Sequence, residues 1–252
     1  MTESPPRTAT EVTVRWWRLE GERPDPADLA LLDDGERERL SDIGHPARAA
    51  EFAGSRAGTR RVLSDLLDVG PAEIGLGRLP CPGCGDPRHG PPAVVRPSSP
   101  FRISLSHSAG CCVLAVARVP VGVDVEGVRT LDTEELARVA LTAAELRHVR
   151  DAPAGMPRSR AFLRCWTRKE AVLKAVGIGL AADLTHIETH PGLPDPVTVT
   201  AGVPGTPATW SVRGLSLPPD WIATVALPHG VRTDVTVLHH HRSHEQIRQP
   251  PT

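Results

Sequence analysis

Val121-Gly-Val-Asp-Val-Glu126 alternates strictly between valine and a small or acidic residue. At a period of two this is a strand whose Val121, Val123 and Val125 face one way and whose Asp124 and Glu126 face the other. Two carboxylates on one strand face repel each other. The strand is therefore either a solvent-facing edge, where acids are tolerated, or one wall of a cation site, and by itself it leaves both readings open.

The run Trp166-Thr-Arg-Lys-Glu-Ala-Val-Leu-Lys174 shifts the balance. On a wheel of about 100° per residue, Phe162, Cys165, Val172, Leu173 and Val176 form the apolar side of a helix, with Trp166, Glu170 and Lys174 in a line beside it. Glu170 with Lys174 is, at the least, a helix-supporting pair worth about 0.2–0.5 kcal/mol. Lys169 instead projects from the middle of the apolar side, and a buried ammonium requires a carboxylate or phosphate partner. Lys169 and Lys174 are the only lysines in a chain with 29 Lys+Arg. Elsewhere arginine takes the cationic positions, although its planar fork is not chemically equivalent to a compact ammonium. Three hard carboxylates from a strand and a facing helix, with a lysine, are what a magnesium–pyrophosphate site requires.

Composition narrows the classes. The chain has 252 residues, a net charge of −1 and a pI of about 6.8, which argues against a nucleic-acid binder that works through a basic surface. No apolar stretch is long enough to span a bilayer, and the start MTESPPRTATE lacks the regions of a signal peptide, so a cytoplasmic, membrane-independent monomer is expected. Five cysteines do not make a disulfide framework. Cys111, Cys112 and Cys165 read as small core residues. Cys81-Pro-Gly-Cys84, with His89 five residues on, reads as a Gly/Pro-rich turn in preference to a zinc site, because no second CxxC or spaced His pair completes a ligand set.

Around these motifs the pattern predicts a strand over 13–19, a helix over 27–43, a second helix from Pro46 to Val69, and a long Pro/Gly/Ser loop from Pro80 to Pro100. Strands 101–105 and 111–117 flank a polar turn, Ser106-His-Ser-Ala-Gly110. Helices follow at 132–151 and 158–176, the latter stopped by Gly177. Short strands return at 197–200, 209–213, 222–226 and 235–238. The strand pair near 209–226 echoes that near 101–117 and suggests two related halves. Residues 1–120 and 121–238 are the expected halves, with 239–252 a disordered tail. Arg56 and Arg60 share a helix face that is either solvated or an anion site.

GVDVE (122–126) followed by WTRKEAVLKAVGIGL (166–180) resembles the signature of the Sfp-type 4′-phosphopantetheinyl transferases. CPGCGDPRHGPP (81–92), SLSHSAG (104–110) and LTAAEL (141–146) are similar to further segments of that family, in the same order between about Pro46 and Leu180. The resemblance implies an α/β fold of α+β type, with two pseudo-symmetric halves, each a small sheet with packed helices, and a coenzyme A cleft between them. It implies transfer of the phosphopantetheine arm of coenzyme A, the co-substrate, to a serine of an apo acyl or peptidyl carrier protein, with release of 3′,5′-ADP.

By the same resemblance Asp124, Glu126 and Glu170 hold Mg²⁺, with Mn²⁺ as an alternative, and Lys174 touches the phosphates where charge develops. Ser106 and His107 match residues that contact the coenzyme A phosphates. Arg48 and Arg56 are candidate clamps for the 3′-phosphate, and His89 and Gly90 belong to the matching loop. Glu170, Glu126 and Glu145 are candidates for the base that takes the serine proton. Two departures stand out. Pro91 replaces a basic residue, for which Arg88 is a candidate substitute, and Gly58-Thr59 replaces leucines in a helix expected to be looser for it. The length favours the broader type that serves polyketide, non-ribosomal peptide or siderophore assembly. The competing expectations are a catalytically degenerate protein that binds coenzyme A or docks a carrier, and an unrelated Mg²⁺-dependent phosphohydrolase.

Overall fold

The computed structural model describes residues 9–179 and 183–240. In chain order its elements are β1 (Thr10–Arg18), α1 (Pro26–Leu29), α2 (Asp34–Ser41), α3 (Pro46–Leu67), β2 (Gly75–Arg78), β3 (Pro92–Arg96), β4 (Arg102–Ser108), β5 (Cys111–Ala117) and β6 (Gly122–Gly127). There follow α4 (Glu134–Ala140), α5 (Ala143–Asp151), α6 (Met156–Val176), β7 (Val197–Thr200), β8 (Thr209–Leu215), β9 (Trp221–Pro228) and β10 (Thr233–His239). They build two four-stranded sheets, ordered β10-β1-β5-β4 and β6-β9-β8-β7, and a small β2-β3 hairpin. The α+β architecture expected from sequence is the one observed.

Strand alternation places the layers. Along β5, Cys111, Val113, Ala115 and Ala117 enter a core shared with Val121, Val123 and Val125 of the second sheet. The intervening Cys112, Leu114 and Val116 join Val62 and Leu63 of α3 on the other side. The second sheet does the same with α6, whose Ala171, Val172 and Leu173 pack on Val197, Val199, Trp210 and Val212. The sheets thus lie face to face, each backed by a long helix. Both halves repeat one pattern. The opening strand, β1 or β6, pairs antiparallel with the closing strand, β5 or β9, which pairs antiparallel with the one before it.

α6 lies so close to β6 that a Cβ on Gly122 would meet the Ala171 carbonyl oxygen at 1.8 Å. That approach lets the acidic face of β6 meet the polar edge of α6. The helix ends on left-handed Gly177, φ 87°, whose N–H donates to the Leu173 carbonyl.

Several elements differ from expectation. Residues 27–43 form two short helices, because Asp33 and Glu36 close a capping box that starts a new one. The stretch 132–151 also breaks, at Leu141, where Thr142 and Glu145 form a second capping box. Within the expected loop 80–100, β3 pairs with β2, a contact made across fourteen or more residues that local composition does not report. The polar turn shrinks to Ala109-Gly110, both at positive φ, since Ser106, His107 and Ser108 continue β4. β10, counted with the second half by sequence, runs parallel to β1 in the first sheet, where Val235 and Val237 pack against the inter-sheet core. His239 closes that strand and the His240 N–H donates to the Trp16 carbonyl, while the rest of the expected tail, 241–252, lies outside the described residues. Gly58 makes room for the Trp17 indole, which a Cβ would meet at 2.6 Å. It serves a close contact and is not a point of looseness.

Gly122→Ala should therefore push α6 off β6 and cost about 1–3 kcal/mol or more in urea unfolding, whereas Gly35→Ala, which faces only the Asp33 side chain at 3.6 Å, should cost less than half as much.

Candidate active site between the halves

β4 and β6 are edge strands of different sheets, and they are joined by side chains. The Val123 N–H donates to Ser104 Oγ at 3.0 Å, Ser106 Oγ donates to Asp124 Oδ1 at 2.8 Å, and Ser108 Oγ donates to Glu126 Oε2 at 3.0 Å. The three serines stand at alternate positions, on one face of β4. From α6, Lys174 Nζ reaches Asp124 Oδ1 at 2.6 Å and Ser106 Oγ at 2.9 Å. Glu126 also meets the exposed Arg129 guanidinium at 3.3 Å.

The carboxylates are not fully satisfied. Asp124 Oδ2 and Glu170 Oε1 are buried without a hydrogen-bond partner, and an ionised oxygen in that position is costly unless a cation meets it. Burial, with Glu126 adding repulsion, raises Asp124 above the usual aspartate range against the opposing pull of Lys174. Burial and the charges of Asp124 and Glu126 push Glu170 up to about 7, again against Lys174. The three carboxylates do not bring one oxygen each within 4.8 Å of one another, but the two orphaned buried oxygens are donors of the kind a hard divalent cation takes. Such an ion, held by Asp124 and Glu170, would supply a charge that neutralises the carboxylates and polarises a phosphoryl oxygen.

Beside this cluster opens a cleft of about 260 Å³ whose lining includes Arg56, Arg78, His107 and Lys174. It draws on α3, β2, β4 and α6, so it lies between the halves, as the resemblance implied. Burial, joined by Lys174, Arg56 and Arg39 and opposed by Glu51, lowers His107 below its ordinary value. A cleft lined by three cationic side chains and an imidazole is suited to an anion rich in phosphate.

His89 and Gly90 also line the cleft. A Cβ on Gly90 would overlap the Leu79 carbonyl oxygen at 1.8 Å, so only glycine fits there. Pro91 lines the cleft too, and Arg78, also in the lining, donates from Nη1 to the Gly90 carbonyl at 2.7 Å. Arg78 was not singled out from sequence, since its strand is formed by long-range pairing and carries no local signal.

Other candidates are placed elsewhere. Glu145 is fully buried. It meets Lys169 Nζ at 2.7 Å and accepts from the N–H groups of Thr142 and Thr189, which removes it as a proton acceptor for substrate. Lys169 donates onward to the carbonyls of Leu184 and Ile187. The pair ties α5, α6 and the following segment together. Arg60 is likewise buried, bound to Asp33 and Glu36, so it is neither solvated nor an anion ligand. Arg48 is exposed and outside the cleft lining. Arg88 is occupied by Asp86, at 2.7 Å, and does not line the cleft. Ser106 is buried and reaches Lys174 and Asp124. Among the described residues no helix is long and apolar enough to cross a membrane.

Residues 120–226 match the family model of the 4′-phosphopantetheinyl transferase superfamily. The 4′-phosphopantetheinyl transferase HetI of Nostoc sp. is 28% identical over 218 residues, covering 85% of this chain and 87% of the relative. A phosphopantetheinyl transferase of Thraustochytrium sp. is 31% identical over 184 residues, 66% of this chain and 61% of the relative. The 4′-phosphopantetheinyl transferase psf-1 of Bacillus pumilus is 31% identical over 126 residues, 50% and 52% of the two chains. The chain is thus similar to 4′-phosphopantetheinyl transferases, over residues 120–226 in the family model and over half or more of its length in these relatives.

The raised Glu170 has a consequence for stability. Its folded pKa of about 7 lies above the value of 4.5 usual for glutamate. The native state therefore holds more protons than the unfolded chain between those values, and this group's contribution falls as pH rises from about 4.5 to 7. In metal-free protein, Glu170→Gln should raise the melting temperature at pH 8, and the gain should shrink toward pH 5. An equal or lower melting temperature at pH 8 would contradict the burial argument.

Proposed function

We propose that the protein transfers the 4′-phosphopantetheine arm of coenzyme A to a serine hydroxyl of an apo carrier protein, with a divalent cation, Mg²⁺ or alternatively Mn²⁺, held by Asp124, Glu126 and Glu170. The observation that carries this reading is the pair of orphaned, buried carboxylate oxygens on Asp124 and Glu170, beside a lysine that also lines a basic cleft. The match of residues 120–226 to the family model and the names of the three relatives support the reaction class.

In this reading Arg56, Arg78 and His107 take the phosphates of coenzyme A in the cleft, and Arg78 supplies the cation that Pro91 does not. The serine oxygen attacks the phosphorus that carries the pantetheine arm. A new P–O bond forms, the pyrophosphate P–O bond breaks, and 3′,5′-ADP leaves with the bonding pair. Lys174 stands where charge builds on the leaving phosphate. The serine proton passes to a carboxylate, for which Glu126 and Glu170 remain the candidates at the site. The acceptors in this reading are carrier domains of polyketide, non-ribosomal peptide or siderophore assembly.

Incubation with coenzyme A, Mg²⁺ and an apo carrier, followed by mass spectrometry of the carrier, tests the reading. A gain of one phosphopantetheine arm is expected. Coenzyme A binding without any gain would indicate a protein that binds but does not transfer, and carrier-independent coenzyme A breakdown would indicate a hydrolase. Glu170→Gln should abolish transfer in a folded protein. Arg78→Ala removes charge-assisted hydrogen bonds worth about 1.5–3 kcal/mol, so KM for coenzyme A should rise about 10–100-fold with a smaller change in kcat.

A further inference from the structure

Cys81, Cys84 and His89 place one ligand atom each within 4.8 Å of one another, the sole such trio of His, Cys, Asp or Glu among the described residues. Cys84 Sγ and His89 Nε2 are 3.2 Å apart. The loop that carries them is held by hydrogen bonds of its own backbone. The Gly85 N–H donates to the Cys81 carbonyl at 2.8 Å, and the Cys81 N–H donates to the Asp86 carbonyl at 3.1 Å. Gly85 takes the left-handed conformation, φ 78°, that this tight turn requires. Backbone hydrogen bonding from Cys84, joined by Gly83 and opposed by burial, holds the Cys81 thiol below its ordinary range, a state suited to a thiolate ligand. Asp86 accepts from the backbone N–H and the side chain of Arg88, which folds the segment so that His89 returns to the cysteines.

We propose that Cys81, Cys84 and His89 bind a zinc ion that clips this loop shut, with a water molecule in the fourth position. Zn–S and Zn–N bonds of about 2.3 and 2.0–2.1 Å place tetrahedral ligand atoms about 3.5–3.8 Å apart, so the Cys84–His89 pair at 3.2 Å would open by a few tenths of an ångström and the other two separations, within 4.8 Å, would close by about 1 Å at most. Two thiolates and an imidazole select zinc over magnesium, which takes oxygen ligands. From sequence the fourth ligand was missing and a plain turn was the favoured reading. The fold leaves that position to solvent but brings the other three together, which spacing alone did not reveal. The consequence lies at the cleft: His89 is both a member of the trio and part of the cleft wall, next to Gly90. The clip would fix the wall against which an anion binds. It does not rest on the transferase reading and holds or fails without it.

Cobalt titration of the full-length protein under a phosphine reductant tests the site, because thiolate-to-cobalt charge transfer reports cysteine ligation and is blind to the carboxylates and to other histidines. The expected result is a charge-transfer band that saturates at one cobalt per chain, with the intense visible bands of tetrahedral cobalt, and that is displaced by one equivalent of zinc. Cys84→Ala, at an exposed position, should lose the band while keeping its circular dichroism spectrum, and His89→Gln should weaken it. No band in the wild type, a band unchanged in Cys84→Ala, or a Cys81–Cys84 disulfide that persists under reductant would each overturn the proposal.

Discussion

Three hydroxyls on one face of β4 hold the two halves of this protein in register. Ser104, Ser106 and Ser108 do for the β4–β6 edge what a backbone ladder does elsewhere, and the choice of side chain has a chemical reason. A hydroxyl both donates and accepts, so Ser104 takes an N–H from β6 while Ser106 and Ser108 give hydrogen bonds to Asp124 and Glu126. The carboxylates are oriented without being neutralised. A continuous backbone ladder would have closed the sheets into one and buried the acids against each other. The serine seam leaves an opening at the strand edge, and the cleft forms there.

From that seam the rest follows by proximity. Gly122 admits α6 to β6, α6 brings Glu170 and Lys174 over the acidic face, and the buried Lys169–Glu145 pair fixes the helix from its far side. Breaking one partner of such a pair leaves an uncompensated buried charge, worth about 3–5 kcal/mol. The two lysines, five residues apart, thus have opposite duties. Lys169 is consumed by structure, with every proton on a carbonyl or carboxylate, while Lys174 stays at the wall of the cleft and offers its charge to whatever binds there.

The parts legible in the sequence were those with local periodicity. The faces of 121–126 followed from alternation, and the inward aim of Lys169 followed from its place among apolar neighbours on the wheel. The helix breaks at Asp33 and Thr142 also had local signals, Asp-x-x-Glu and Thr-x-x-Glu, and reading the second would have marked Glu145 as a capping residue before it was weighed as a base. What stayed hidden depended on distant pairing. The β2–β3 hairpin, the place of Arg78 beside Gly90, the return of β10 to the first sheet and the convergence of His89 on two cysteines all arise from contacts that no short window contains. The resemblance to a known family supplied the carboxylate set, and the structure added that two of those acids, Asp124 and Glu170, carry buried oxygens without a hydrogen-bond partner.

In the proposed reaction the orphaned oxygens of Asp124 and Glu170 would hold a divalent cation against a phosphate ligand in the adjoining cleft. Phosphorus-31 relaxation of coenzyme A in the presence of protein and Mn²⁺ tests it most directly, since a bound paramagnetic ion shortens relaxation only in nuclei a few ångströms away. The account predicts strong enhancement at the pyrophosphate phosphorus atoms, weaker enhancement at the 3′-phosphate, and loss of the protein-dependent effect in Asp124→Asn. Enhancement that is uniform over all three phosphates, or that survives in Asp124→Asn, would contradict it.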